Sequence, residues 1–184
     1  MGNRKLIMNL ESKYKRLYKK VLKELGIATP LHSDCGVLCG EKCCSGTEDD
    51  GMLLFPGEEY LYQGRDWCRV KDTNIVLSDG YIVKLLVCRG KCPRDERPLS
   101  CRIFPLTPYI NEFGRVDFRL DPRSFGICPV SRNPDEYPVE DDFIESLYKA
   151  FPPLLKDEKA VEFIEILSEQ YDEAMEVFEK FIIG

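Results

Sequence analysis

Four cysteines crowd into ten residues, in the order Cys35-Gly-Val-Leu-Cys39-Gly-Glu-Lys-Cys43-Cys44. No other stretch restricts the fold as tightly. Spacing of x3 would set Cys35, Cys39 and Cys43 on one helical face. Gly36 and Gly40 interrupt that face, and Gly46 follows, so the stretch reads as a loop wound around a point rather than a helix. A second group follows downstream: Cys88, Cys92-Pro93, Cys101 and Cys128-Pro129, with Gly90 between the first two. Thiolates gathered this way suit zinc and iron–sulfur clusters above other common protein metal centres.

The alternatives to metal are disulfides and buried free thiols. The N-terminus carries no sustained apolar region and no small-residue cleavage site, so no signal peptide is expected. Leu6 stands where the myristoylation pattern requires Ser or Thr. No apolar run approaches the ~20 residues that span a bilayer. The expected location is therefore cytoplasmic, where thiols stay reduced and clustered cysteines point to metal or redox chemistry. Free buried cysteines account for one or two of the nine, not for four in ten residues. A net charge of −6 argues against nucleic acid as a partner.

With 184 residues the chain is long enough to bury a core in a single domain without staples. The expected fold is α+β: a cysteine-rich metal-binding core with short β-hairpins over 35–130, flanked by an N-terminal helix (1–26) and C-terminal helices (140–183). Leu10, Tyr14, Leu17, Val21 and Leu25 recur at helical spacing, widened by Tyr18 and Leu22, and Gly26 is a natural stop. The opposite face is basic and reads first as a solvated face; the segment 135–179 is acidic, so side-by-side packing of the two terminal helices is the intramolecular alternative. A protein partner for these helices is the other use of such faces. Ser78-Asp79-Gly80 predicts a tight turn between strands at 75–77 and 81–87. A second hairpin is expected over 108–120, burying one face through Val116, Phe118 and Leu120. Phe143, Leu147 and Tyr148 form the apolar side of a helix that Pro152-Pro153 ends. Val161, Ile164, Leu167, Tyr171, Met175, Phe178 and Ile182 define a last helix over 157–182.

Adjacent Cys43 and Cys44 pose a geometric question. Neighbouring side chains diverge by half a turn in a strand and by about 100° in a helix. Either the pair serves two centres, one thiolate bridges two ions, or one sulfur packs without ligating. An ion or cluster held by four thiolates is anionic, and Arg97 and Arg102 are the expected cationic donors beside it. Arg89, Lys91 and Arg94 read equally well as surface charge.

The run Glu96-Arg97-Pro98-Leu99-Ser100-Cys101-Arg102-Ile103-Phe104-Pro105, with Cys35, Cys39, Cys43-Cys44, Cys88, Cys92-Pro93 and Cys128-Pro129, resembles the CxxCxxCC cysteine-cluster family of zinc- or iron-chelating domains. The first spacings here are x3 and x3 instead of x2 and x2, which lengthens the ligand loop. The resemblance spans residues 35–130 and implies metal binding through Cys35, Cys39, Cys43, Cys44, Cys88, Cys92, Cys101 and Cys128. Cys68 stands outside it and is expected to be a buried free thiol. His32, the one histidine, reads as an ordinary loop residue.

Three functions follow as expectations. The first is a metal-binding protein holding zinc or an iron–sulfur cluster. The second is a cluster-dependent enzyme, either a redox protein or a protein-lysine N-methylase, since a few members of the family are linked to flagellin lysine methylation. The third is an interaction module with a structural zinc. No methyl-donor motif is recognisable, and a Cys–His nucleophile has only His32 to draw on.

Overall fold

The computed structural model describes residues 2–44, 50–89 and 92–183. Gly46, Gly90 and Lys91 lie outside them. The chain runs through α1 (Gly2–Leu25), a single turn α2 (Gly36–Cys39), β1 (Met52–Leu53), β2 (Cys68–Val76), β3 (Ile82–Cys88), α3 (Leu99–Ile103), β4 (Leu106–Ile110), β5 (Val116–Leu120), α4 (Pro129–Arg132), α5 (Asp141–Ala150) and α6 (Glu158–Ile183). The fold is α+β. One sheet has the order β1-β3-β2 and the other pairs β4 with β5, all antiparallel. No helix among the described residues is long and apolar enough to cross a membrane.

The core gathers one face each of α1, α5 and α6 around Phe55, Phe118, Phe151 and Phe163. Tyr14, Tyr18, Val21 and Leu25 of α1 are buried with Phe143 and Leu147 of α5 and Phe163, Ile164 and Leu167 of α6. Phe55 meets Phe151 and Phe163 edge-on, with ring centroids 5.9 and 5.2 Å apart, and Phe118 packs on Phe151 at 4.8 Å. Such edge-to-face pairs add to the apolar burial that drives the assembly. α1 ends where the stop was expected. Gly26 adopts a left-handed φ of 62°, and its N–H reaches the Leu22 carbonyl at 3.1 Å.

Three expectations are corrected. The terminal helices do not run side by side: α1 lies along α5, and α6 along β4. Among the described residues the opposite charges meet where Lys13 Nζ donates to Asp157 Oδ2 at 2.7 Å just before α6 begins. The first hairpin is longer than its apolar residues indicate, because β2 starts at Cys68. As an outer strand it needs no continuous apolar face, and Arg69, Lys71 and Thr73 occupy its half-buried side. The apolar stripe of α6 is buried only through its first half, to Leu167. Tyr148 on α5 is 49% exposed, and Phe178 lies at the rim against Phe125.

Two residues fix how the cysteine-bearing segments attach to this core. Gly57 turns the chain with φ 84°, and a Cβ there would sit 2.2 Å from the ring of Tyr14. Next to it, Glu58 opens a 3-10 turn and is fully buried. Its carboxylate accepts from Leu99 N at 2.7 Å and Phe55 N at 3.3 Å. Leu99 N begins α3, so Glu58 supplies an acceptor to the unpaired amide end of that helix. Burial outweighs these two bonds and pushes the Glu58 carboxyl up to about 8.

Gly57→Ala should lower stability by about 3 kcal/mol in urea unfolding, through positive φ and the clash with Tyr14. Glu58 binds its proton more tightly folded than unfolded. Its contribution is complete below the ordinary carboxyl value of 4.5 and is lost as pH rises through about 8. Unfolding midpoints compared at pH 5 and pH 8.5 should fall for the native chain more than for Glu58→Gln. Equal slopes would refute this assignment.

Candidate metal centre

The ligand segments are positioned by short-range chemistry. Asp34 Oδ1 accepts from Gly36 N at 3.0 Å and pairs with Arg94. Gly36 and Gly40 do not prevent a helix but bound one. α2 makes a single turn between them, and Gly40 ends it at φ 61°. Cys35 and Cys39 thus stand on one face of that turn. Glu41 is also left-handed, at φ 59°, which stops the helix before Cys43 and turns the chain into a 3-10 segment, Lys42–Cys44.

Cys88 is the last residue of β3, and α3 delivers Cys101. Ser100 Oγ ties α3 to β1 by donating to the Leu53 carbonyl at 2.6 Å. Cys92 precedes a 3-10 turn held by Glu96, which accepts from Trp67 Nε1 at 2.8 Å and pairs with Arg65 at 3.0 Å. Cys128 sits at the start of α4, its N–H on the Ser124 carbonyl at 2.8 Å.

These segments meet at two cavities. The larger, about 120 Å³, is a cleft lined by Cys43, Cys44, Cys88, Cys92, Cys101 and Arg97, with Leu86 and Phe104 among its apolar walls. The smaller, about 20 Å³, is lined by Cys35, Cys39, Cys43 and Cys128, with Phe104, Ile127 and Val130. All eight thiols of the motif therefore border one cavity or the other, and Cys43 borders both. Cys68 borders neither. It is buried with Leu54, Tyr62 and Leu86, opposite Cys88 in the register of β2 and β3. His32 also lines neither cavity; its Nε2 lies 2.9 Å from Glu140.

Cys43 and Cys44 do not diverge as adjacent residues were expected to. Their Sγ atoms are 3.9 Å apart. The cleft thiols form a chain of donors and acceptors. Cys92 accepts from Cys44, Cys88 and Arg97, which hold its thiol far below the usual range. The donors Cys44 and Cys88 are correspondingly raised. Cys43, in contact with Cys44, is lowered to about 7. Burial raises Cys101, and raises Cys35 to about 11.

The two arginines part company. Arg97 lines the cleft, and its Nε–H is buried without an acceptor among the described residues. Arg102 turns to the end of α1, where Nη2 donates to the Gly26 carbonyl at 3.2 Å. It caps that helix.

Among the described residues no three Cys, His, Asp or Glu side chains close on a single ion-sized point. Thiolates repel one another and close fully only against a cation. The residues nonetheless fit such a group: the polar side chains around the two cavities are the eight thiols, Asp50 and Arg97, and the unmatched Arg97 N–H suits an anionic thiolate centre. No family model, curated protein or solved structure matches this chain.

In chelator-treated, reduced protein at pH 6, Cys92 and Cys43 should alkylate with iodoacetamide at least about tenfold faster than Cys35, because reaction requires the thiolate. Peptide mass spectrometry reads the order. Cys35 reacting first would contradict the hydrogen-bond pattern.

Proposed function

We propose that this chain is a metal-binding protein in which zinc is held by thiolates of Cys35, Cys39, Cys43, Cys44, Cys88, Cys92, Cys101 and Cys128. The observation that carries the reading is convergence. Five segments, 35–44 and those bearing Cys88, Cys92, Cys101 and Cys128, bring eight thiols to two adjoining cavities, while the ninth packs into apolar surroundings. The size of the small cavity supports zinc over an iron–sulfur cluster: about 20 Å³ has room for one ion, not for a cluster with its own sulfides.

Bound zinc would cross-link the segments and neutralise their thiolates. Cys92 and Cys43, already biased toward the thiolate, give up little on binding, and Arg97 offsets charge that remains. A cleft of about 120 Å³ is well under the roughly 300 Å³ of common cofactor pockets, which favours a binding or structural role over methyl transfer.

Metal and sulfide analysis of anaerobically purified protein tests the identity. Stoichiometric zinc without visible absorbance is expected; iron with acid-labile sulfide would replace zinc by a cluster. Cys92→Ser and Cys101→Ser should each lower metal content and reduce Tm by about 10 °C, since site assembly and folding are coupled. Cys68→Ser should leave metal content unchanged. Full retention of metal in Cys101→Ser would overturn the ligand assignment.

A further inference from the structure

The eight thiols do not share one space, and the way they divide carries a conclusion about the number of centres. We infer that they build two neighbouring thiolate centres, one from Cys35, Cys39, Cys43 and Cys128 and the other from Cys44, Cys88, Cys92 and Cys101, with the chain forking between Cys43 and Cys44. This rests on the metal-thiolate reading above.

Membership follows from the linings and from a count. Cys35, Cys39 and Cys128 border only the small cavity; Cys44, Cys88, Cys92 and Cys101 border only the cleft; Cys43 borders both. The small cavity offers no other side-chain donor, since Phe104, Ile127, Pro129 and Val130 complete its wall. A closed tetrahedral site needs four protein ligands, so Cys43 is required there. The cleft has four thiols without it. Phe104, in the wall of both cavities, stands between the two sets. The 3.9 Å between the Cys43 and Cys44 sulfurs makes the centres immediate neighbours.

The two centres differ in character. About 20 Å³ holds one water-sized body. With apolar walls around it, this centre takes a single ion and shields it. The cleft is six times larger by the two volumes, about 120 against 20 Å³, and is bordered by Arg97. Its ion is the one within reach of chelators and exchange. The two anionic centres lie side by side, and the buried Arg97 N–H is the cation beside the cleft set.

The test is an anaerobic titration of the reduced, chelator-stripped full chain with Co²⁺, followed by thiolate charge-transfer absorbance, with zinc counted by native mass spectrometry. The native chain should bind two equivalents. Cys35→Ser and Cys88→Ser should each lose one and keep the other at native affinity. A chelator should remove the ion that survives in Cys35→Ser faster than the one that survives in Cys88→Ser. A single equivalent in the native chain overturns the two-centre division and leaves metal binding standing. So does loss of both equivalents in a variant that keeps native circular dichroism. No bound ion at all overturns metal binding itself. Should a variant fail to fold, the native stoichiometry alone decides.

Discussion

Glu58 occupies a position with no access to water, where an ionised carboxylate without partners would be prohibitively costly. Burial keeps its proton on to about pH 8, and two backbone amides, Phe55 N and Leu99 N, point at its oxygens. One amide belongs to the segment that enters the aromatic core, and the other starts the helix bearing Cys101. The same carboxylate therefore holds together the core and the segment that lines the cleft. Gly57 beside it lets Tyr14 lie against the backbone, and Tyr18 donates to the Pro56 carbonyl at 2.8 Å. The short stretch 55–58 is the hub on which α1, α3 and the first sheet are mounted.

Much of this was legible in the sequence, and the exceptions have physical causes. The helical stripes of α1 and α5 and the Asp-Gly turn were readable because burial imposes a period on them. The extent of β2 was not, because Arg69, Lys71 and Thr73 fill its half-buried face, so its alternation in burial does not show as an alternation in hydrophobicity. The reach of the buried face of α6 was not, since apolar spacing persists past Leu167 where the helix outruns the body. Glu58 gave no signal at all. An acidic residue beside Pro-Gly looks like surface until its partners, forty-one residues away at Leu99, are known.

The candidate site was legible by inventory and illegible by arrangement. Eight thiols and their segments could be named from spacing and resemblance. Gly36 and Gly40 were misread as helix breakers, because the same residue serves as an end as readily as an interruption. Arg97 and Arg102 looked equivalent in sequence, but α3 carries Arg102 toward the end of α1, while Arg97 precedes the helix and faces the cleft. The convergence of Cys43 and Cys44 depends on side-chain rotation, which spacing cannot report.

The position of β2 also bears on how the molecule meets its own copies. A nine-residue strand at the border of a sheet exposes a row of backbone groups that another chain can extend. Here that border carries Arg69, Lys71 and Asp72, and its pairing with β3 becomes irregular between Asp72 and Val76. Charge and a local kink are both means by which sheets resist edge-to-edge growth. The opposite border is β1, two residues long and too short to nucleate pairing. The polar composition that hid this strand from a hydrophobic pattern is thus the same property that guards the sheet against self-association.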